Sequence, residues 1–328
     1  MYNFCTLFDS RYMSRGLAMY ESLSVNCQTF HLFIFAFDKL SYEYLSNENL
    51  PNVTIISLEE FETEALLSVK KERSPGEYCW TCTPFTILHA LEHYNLENCT
   101  YLDADLYFFS NPVVLIDEMQ SNSVLITEHR YTEIYNQETT SGKYCVQFMT
   151  FKSTKAGMKA LRWWAEACLE WCFDRFEDGR FGDQKYLDDW TERFEEVHVL
   201  YHLGGGVAPW NVQQYAFTLT DQRVTGTELT TQQAFDLVFF HFHGFKILPD
   251  QKVDLGGYRL SEKTKKMVYQ PYVKHLMQIE QSIQTKTSAT GSLSITRPAP
   301  NDWRSLARKL RQKITGCYNI HLINWFYR

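Results

Sequence analysis

The 328-residue sequence lacks several features that would assign a class of protein at once. No apolar run approaches the roughly 18 residues that a membrane-spanning helix needs. The N-terminal residues MYNFCTLFDSRYMSRG contain no basic stretch followed by an apolar one, so no secretory signal peptide is predicted. The formal net charge of −7 argues against a protein that binds nucleic acid in general. We therefore expect a cytoplasmic protein, associated at most peripherally with the inner face of the cell membrane.

Complete metal or phosphate motifs are also missing. Cys79 with Cys82, and Cys168 with Cys172, have the spacing of zinc half-sites, but neither pair has a second half. The nine cysteines are an odd number and lie mostly in apolar runs, which predicts buried, reduced thiols. The glycine run at 204–206 is not followed by Gly-Lys-Ser or Gly-Lys-Thr, so it is not a P-loop. We expect a flexible segment there, beside a substrate.

Apolar runs alternate with helical patterns along the chain. Strands are predicted at 4–9, 31–37, 53–58, 100–109, 123–130, 143–151, 196–201 and 237–246. Helices are predicted at 14–25, 41–49, 59–71, 83–94, 155–176 and 261–283. This alternation is typical of an α/β fold with a mostly parallel sheet and helices on both faces. In such sheets, ligands bind beyond the carboxyl ends of the strands.

Two carboxylates interrupt the apolar run TYLDADLYFF at 100–109. Asp103 and Asp105 are two residues apart, and side chains at that spacing in an extended chain point the same way. They can converge on one divalent cation, because Mg²⁺ and Mn²⁺ prefer oxygen ligands and bridge to phosphates. Capping of the next turn by either carboxylate explains the same residues equally well.

A pair of histidines follows a later apolar strand, in the sequence HFHG at 241–244. Strand alternation puts His241 and His243 on one face. Imidazole is a ligand for Mn²⁺, so one or both could complete a site begun by the two aspartates. Taken alone, two ordinary polar residues at the end of a strand are the commoner explanation.

The order of these motifs resembles that of a known enzyme class. CTLFDSRY, YLDAD followed by FF, ITEHR, LRWW, FGDQKYLD and HFHG occur in succession. The chain resembles nucleotide-sugar glycosyltransferases of the GT-A fold. It is most similar to glycosyltransferase family 8, which includes glycogenin and the lipopolysaccharide glycosyltransferases, and to uncharacterised bacterial proteins. The resemblance covers about residues 1–250. It implies a Rossmann-like, mixed but mostly parallel sheet flanked by helices, here with a C-terminal helical extension.

The resemblance also implies a metal site for Mn²⁺ or Mg²⁺. Asp105 would bind the ion directly, and Asp103 would contact the ion, a water on it, or the ribose of the nucleotide. His241 matches the histidine that completes the site, and His243 is an alternative ligand.

Further residues match the positions that hold the nucleotide-sugar. Asp183 and Gln184 match an Asp-Gln turn that faces the transferred sugar, and they are the implied catalytic residues. The implied contacts of the nucleotide-sugar are Thr6, Asp9, Tyr12, Arg73, Trp80, Thr83 and Asp103.

The implied function is metal-dependent transfer of a hexose or acetamidohexose from a UDP-sugar to a surface glycan or a lipid-linked saccharide. The resemblance weakly favours retention of configuration. For inversion, a carboxylate such as Asp183, Asp188 or Glu128 would deprotonate the acceptor. The family often has Asn and Gly where this chain has CVQF at 145–148, and Lys246 is out of register with the usual Lys-Pro-Trp. A nucleotidyltransferase, an aspartyl-type phosphatase and an inactive nucleotide- or glycan-binding protein stay open as alternatives.

The predicted organisation has four parts. A GT-A domain spans 1–250, with a nucleotide-binding half at 1–115 and a sugar and acceptor half at 116–250. A helical extension follows at 251–284, then a linker at 285–300 that is rich in Ser, Thr, Gly and Pro, and then a basic amphipathic tail at 301–328. In the tail, one helical face carries Trp303, Leu306, Leu310 and Ile314. This pattern is typical of a helix on an anionic membrane surface, and docking on its own domain or on a second subunit is the alternative.

Overall fold

The computed structural model describes residues 1–221, 223–287, 294–296 and 303–328. Its strands are β1 (Tyr2–Phe8), β2 (Phe30–Ala36), β3 (Val53–Ser57), β4 (Asn98–Leu102), β5 (Leu106–Phe108), β6 (Val124–Glu128), β7 (Tyr144–Lys152), β8 (Val197–Val199), β9 (Tyr215–Thr220), β10 (Arg223–Glu228), β11 (Ala234–Asp236), β12 (Phe239–His241), β13 (Lys246–Leu248), β14 (Lys252–Asp254) and β15 (Ile320–Leu322). Its α-helices are α1 (Met13–Asn26), α2 (Lys39–Asn47), α3 (Leu58–Phe61), α4 (Glu64–Lys70), α5 (Pro75–His93), α6 (Val113–Asp117), α7 (Glu138–Ser141), α8 (Lys155–Glu170), α9 (Trp190–Arg193), α10 (Glu262–Thr264), α11 (Gln270–Thr287) and α12 (Trp303–Ile314).

A seven-stranded sheet forms the centre of the fold, in the order β3-β2-β1-β4-β7-β6-β8. Strands β3, β2, β1 and β4 run parallel to one another, and β6 is parallel to β8. Only β7 is antiparallel to both of its neighbours, β4 and β6. The predicted mixed, mostly parallel sheet is confirmed.

The inner strands are buried on both faces, which is why their sequences are predominantly apolar. In β1, Phe4 and Phe8 belong to the core under α1, α2 and α11, whereas Cys5 and Leu7 belong to the core under α5 and α8. Side chains alternate between the faces of a strand, so one short run supplies both cores.

The helix α5 begins eight residues earlier than the predicted helix at 83–94, so Pro84 lies inside the helix and not near its start. The start signal is Ser74-Pro75-Gly76-Glu77. Ser74 Oγ accepts a hydrogen bond from the Glu77 amide at 3.3 Å, and the Glu77 carboxylate accepts one from the Ser74 amide at 2.7 Å. This capping box, with proline at the first helical position, outweighs one proline inside the helix, which removes a single backbone donor.

The run at 100–109 is not one strand but two. β4 ends at Leu102 in the central sheet, and β5 pairs instead with β12 in an antiparallel ribbon. Between them the chain turns, and the Leu106 amide donates to the Asp103 carbonyl at 3.2 Å. The two carboxylates therefore lie in a turn at the carboxyl end of β4, and not along an extended strand.

The glycine run at 204–206 is closely packed, so the expected flexible segment was wrong. All three glycines are buried. A Cβ on Gly204 would lie 1.9 Å from the Asp236 carbonyl oxygen. Gly206 has φ +81°, and a Cβ there would lie 2.7 Å from Thr127 Cγ2. Only glycine allows this close approach of the backbone.

The C-terminal residues return to the domain. β15 pairs with β14, and Phe326 is fully buried in the core with α11. Within the predicted linker, Ile295 forms a bridge with Ile247. Residues 288–293 and 297–302 lie outside the described residues, and the predicted domain limits stay a prediction. Of the predicted apolar face of α12, Leu310 and Ile314 are exposed, whereas the side chains of Trp303 and Leu306 are outside the described part. None of the described helices is long and apolar enough to span a membrane.

Candidate functional site

Three possible metal ligands meet where the sheet and the β5–β12 ribbon join. His241 Nε2 lies 3.1 Å from Asp105 Oδ1 and 3.7 Å from Asp103 Oδ2. Ligand atoms of the three residues all lie within 4.8 Å of one another. The backbone enforces this meeting, because His241 pairs with Leu106 across the ribbon and the Phe242 amide donates to the Asp105 carbonyl at 3.0 Å.

A buried glutamine orients the imidazole. Gln147, on β7, has no exposed surface, and its Oε1 lies 2.8 Å from His241 Nδ1. The amide oxygen can only accept, so Nδ1 carries a hydrogen and Nε2 is the ring nitrogen that faces the carboxylates. Metal-ligating histidines almost always have such a partner on the second ring nitrogen. The oxygen and imidazole donors fit Mn²⁺ or Mg²⁺.

Burial and mutual charge set the protonation of this cluster. Burial raises the pKa of Asp103 to about 6, although the His241 imidazole opposes that rise. Burial also acts on Asp105, but there His241 outweighs it and lowers the pKa to about 2. The two carboxylates raise the pKa of His241 well above its ordinary value despite its burial. A divalent cation would displace the proton that the three residues share.

The cluster lies in a cleft of about 570 Å³, within the usual range of ligand pockets. Most of the sequence-predicted residues line it, namely Asp9, Tyr12, Trp80, Thr83, Asp103, Asp105, Asp183, Gln184, His241 and His243. The structure therefore brings together side chains that the sequence spreads over more than two hundred positions.

Two of the predicted residues lie elsewhere. Thr6 is fully buried within β1. The Arg73 guanidinium packs 3.8 Å above the Phe173 ring and donates to the carbonyls of Leu169 and Glu170, both at 3.4 Å. These contacts give Arg73 a role in fixing the end of α8.

Among the ligands predicted for the metal, His243 stands apart. Its ring centroid is 5.7 Å from that of His241, and it is exposed at the mouth of the cleft. It does not belong to the cluster of three. Of the two alternatives, the geometry therefore favours His241.

Asp183 is the most deeply buried carboxylate in the cleft, with 5% of its surface exposed. Burial raises its pKa to about 8, with the Asp103 charge adding to the effect. Trp164 Nε1 fixes the local backbone by donating to the Asp183 carbonyl at 2.8 Å, and Gln184 Nε2 donates to the Ser141 carbonyl at 2.6 Å. The residue that precedes the following 3₁₀-helix is Gln184, so Asp183 does not serve as its N-cap.

The other two candidate bases are engaged in ion pairs. Glu128 lies 2.9 Å from Lys143 Nζ, and Asp188 lies 2.6 Å from Lys185 Nζ. Neither carboxylate is among the residues that line the cleft.

One wall of the cleft consists of residues that were not among the predicted site residues. It is aromatic and consists of His129, Tyr131, Trp210 and Tyr258. The His129 and Tyr131 rings stack at 4.6 Å, and the Trp210 ring lies 5.3 Å from that of His241. Isolated aromatic residues in loops carry no periodic signal, so only the motif ITEHR pointed to part of this wall.

Two relatives in Bacillus subtilis (strain 168) match the chain over most of its length. YfnD is 31% identical over 290 residues, which cover 87% of this chain and 91% of YfnD. The chain belongs to the YfnD family. YfnF is 29% identical to this family member over 294 residues, covering 86% and 94% of the two chains. Both relatives are described as uncharacterized proteins. No protein-family model matches the chain.

A solved structure shares the fold. The galactosyltransferase LgtC, in complex with donor and acceptor sugar analogues, superimposes on this YfnD-family protein with a TM-score of 0.51. The match covers 92% of this chain and 99% of LgtC at 12% sequence identity. At that identity the likeness establishes the fold alone. The predicted GT-A fold, and with it the resemblance of this fold to that of a glycosyltransferase, is confirmed.

The buried Asp183 gives a testable pH dependence of stability. Between its unfolded pKa, about 4, and its folded pKa near 8, the unfolded chain loses the proton while the folded chain keeps it, so stability falls as pH rises. At pH 8, the free energy of unfolding of Asp183→Asn should therefore exceed that of the wild type by roughly 2 kcal/mol or more, and the variant should unfold at a higher temperature. Both differences should shrink towards pH 5. Thermal unfolding in EDTA measures this. Asp189→Asn, a control at a half-exposed carboxylate paired with Arg193, should show no such trend. A pH-independent difference for Asp183→Asn would contradict the interpretation.

The cluster predicts a metal affinity that depends on Gln147. Asp105→Asn should abolish Mn²⁺ binding, because the remaining ligands are too few. Gln147→Leu leaves the ligands intact but frees the imidazole, and should weaken binding about 10- to 100-fold. Titration calorimetry with Mn²⁺ measures both, with Asp189→Asn as the matched surface control. Wild-type affinity in Gln147→Leu would show that the glutamine does not orient His241.

Proposed function

We propose that this protein is a metal-dependent glycosyltransferase that moves a sugar from a nucleotide-sugar to a saccharide acceptor. The observation that carries the proposal is the cluster of Asp103, Asp105 and His241, oriented by Gln147 and opening into a cleft beside the buried Asp183. The fold shared with a galactosyltransferase supports the same reaction class.

The proposed reaction breaks the bond between the anomeric carbon of the donor sugar and the diphosphate oxygen. The bonding electrons go to that oxygen, the acceptor hydroxyl oxygen forms the new bond to the anomeric carbon, and the hydroxyl proton passes to the departing diphosphate oxygen. Mn²⁺ or Mg²⁺, when bound by the two aspartates and His241, would neutralise the charge that develops on the departing diphosphate.

Asp183 and Gln184 act on the sugar in this proposal. A buried carboxyl whose pKa is raised to about 8 keeps its proton at neutral pH and can donate a hydrogen bond to a sugar hydroxyl. Gln184 is held by the Ser141 carbonyl and supports the same turn. Because Glu128 and Asp188 are engaged in ion pairs outside the cleft, they are poor bases for inversion, and we propose retention of configuration.

The donor half of the cleft is lined by the first part of the chain. Asp9, held by Arg11 at 2.5 Å, lies there with Tyr12, Trp80 and Thr83. Trp80 packs against Gly182, where φ is +51° and an added Cβ would lie 3.3 Å from the indole. These residues would bind the nucleotide, and the donor class that we propose is a UDP-hexose or UDP-acetamidohexose.

The acceptor is proposed to be a surface-glycan precursor, such as a lipid-linked saccharide, at the cytoplasmic face of the membrane. The support is α12, on which Leu310 and Ile314 are 60% and 77% exposed beside the exposed, basic Arg311 and Lys313. An apolar and basic helix of this kind binds anionic lipid surfaces. Phe326, near the C-terminus, is buried in the core and does not contribute to this surface.

Ligand-induced stabilisation tests the proposed donor. Thermal unfolding is measured with UDP, GDP, CDP and TDP, each with and without Mn²⁺, since a ligand of the native state raises the midpoint by mass action. UDP with Mn²⁺ should raise the midpoint, and UDP alone should have little effect. Asp105→Asn should lose the shift, and the wild type should hydrolyse a UDP-sugar slowly only with the metal. Turnover of an aryl phosphate without any nucleotide shift would favour the phosphatase. A shift by UDP with Mn²⁺ but no hydrolysis of the UDP-sugar would favour a non-catalytic binding protein.

Liposome binding tests the membrane surface. Leu310→Asp with Ile314→Asp should lower sedimentation with phosphatidylglycerol vesicles by at least about tenfold, because both exposed side chains would otherwise enter the lipid interface. Leu219→Asp changes an equally exposed leucine on β9 and is the matched control. Equal binding by the double variant and the control would remove α12 from the membrane contact.

A further inference from the structure

Tyr258 lines the cleft although it lies beyond the sheet and ribbon that carry the metal cluster. Its ring packs against Tyr135, with centroids 4.9 Å apart at 68°. Together with Tyr131 and Trp210, these rings surround the buried Cys145 and Ala208. All four aromatic residues follow the turn of Asp103 and Asp105 in the sequence, whereas Asp9, Tyr12, Trp80 and Thr83, the proposed nucleotide contacts, precede it.

The backbone of Tyr258 is held by the C-terminal segment. Asn319 is 2% exposed, and its side-chain amide donates to the carbonyl of Gly256 at 2.9 Å and of Tyr258 at 2.7 Å. The Leu255 amide donates in turn to the Asn319 carbonyl at 3.1 Å. One buried asparagine thus ties down the turn at 256–258 from both ends.

Further contacts attach the same turn to the end of α12 and to the aromatic wall. The Arg259 amide donates to the Tyr135 hydroxyl at 2.8 Å, and Arg259 Nε donates to the Thr315 carbonyl at 2.9 Å. The Tyr135 hydroxyl also lies 3.6 Å from Cys317 Sγ. The residues that follow α12 therefore form part of the support of the cleft.

We propose that Tyr258 is a sugar-stacking residue of the acceptor subsite, and that Asn319 is its positioning residue. The inference rests on the proposed function and deepens it. A half-buried tyrosine offers an apolar face to the C–H groups of a sugar ring while its hydroxyl reaches solvent or a sugar hydroxyl. The hydrogen bonds of Asn319 fix the turn before the acceptor arrives, so that the ordering of the turn does not weaken binding.

The experiment separates acceptor binding from donor chemistry. Transfer from a UDP-sugar to a panel of p-nitrophenyl glycosides is measured beside hydrolysis of the same UDP-sugar without acceptor. Asn319→Ala removes two hydrogen bonds to the turn and should raise the acceptor KM about tenfold, with the donor KM and the hydrolysis rate within about twofold of the wild type. Tyr258→Ala should raise the acceptor KM at least as much.

Gln270→Ala is the matched control. Gln270 Nε2 also binds the C-terminal segment, through the Phe326 carbonyl at 2.6 Å, but it does not contact the turn. Gln270→Ala should leave the acceptor KM unchanged. The comparison with Asn319→Ala then separates the positioning of Tyr258 from a general loosening of the C-terminus. If Asn319→Ala does not fold, as judged by thermal unfolding and donor hydrolysis, Tyr258→Ala carries the same comparison.

The outcomes distinguish a failure of the inference about Tyr258 from a failure of the proposed function. If Tyr258→Ala or folded Asn319→Ala has intact hydrolysis and the acceptor KM of the wild type, the inference about Tyr258 is overturned and the proposed function is not. Hydrolysis by the wild type with no transfer to any glycoside also overturns the assignment of Tyr258 to a sugar acceptor. No metal-dependent hydrolysis of any UDP-sugar by the wild type contradicts the proposed function itself.

Discussion

The candidate site depends on the antiparallel pairing of β5 with β12. This short ribbon brings His241 opposite Leu106, and its last hydrogen bond joins the Phe242 amide to the Asp105 carbonyl. Without it, the two aspartates would lie in an isolated turn and the histidine in a separate segment. The chain leaves the central sheet at Leu102 in order to form this pairing, so the break between β4 and β5 creates the position at which three metal ligands can meet.

Burying charged groups at this position lowers the stability of the fold, as is common at functional sites. Burial disfavours the charged forms of Asp103, Asp105 and Asp183, and the pKa of Asp183 is raised to about 8. For Asp105, charge pairing with His241 outweighs this cost. Gln147 adds no charge, but it fixes the imidazole, so the cluster is ordered before an ion binds. Function and stability are therefore opposed most strongly at Asp183, where a neutral side chain would suit the fold better.

The C-terminal residues link the cleft to the surface of the molecule. β15 extends a small sheet, and Asn319 at its edge holds the turn that carries Tyr258. Directly before this segment, α12 exposes Leu310 and Ile314. A lipid-linked acceptor bound near α12 would thus meet a cleft wall that the neighbouring residues of the same segment support. This arrangement unites the membrane contact and the acceptor subsite that we propose.

The sequence by itself determined the α/β class, most strands of the sheet, and Asp103, Asp105 and His241 as a group. Apolar periodicity and short motifs are local, and local patterns survive folding wherever a strand is buried on both faces. Tertiary structure decided the rest. Pairing of β5 with β12 divided the run at 100–109 into two strands. The glycines at 204–206 became buried and closely packed, and contacts between rings from separate loops formed the aromatic wall. Arg73 and Thr6 have suitable chemistry, but their packing directs them away from the cleft. No local pattern encodes contacts such as that of Asn319 with Tyr258, because they depend on where distant segments meet.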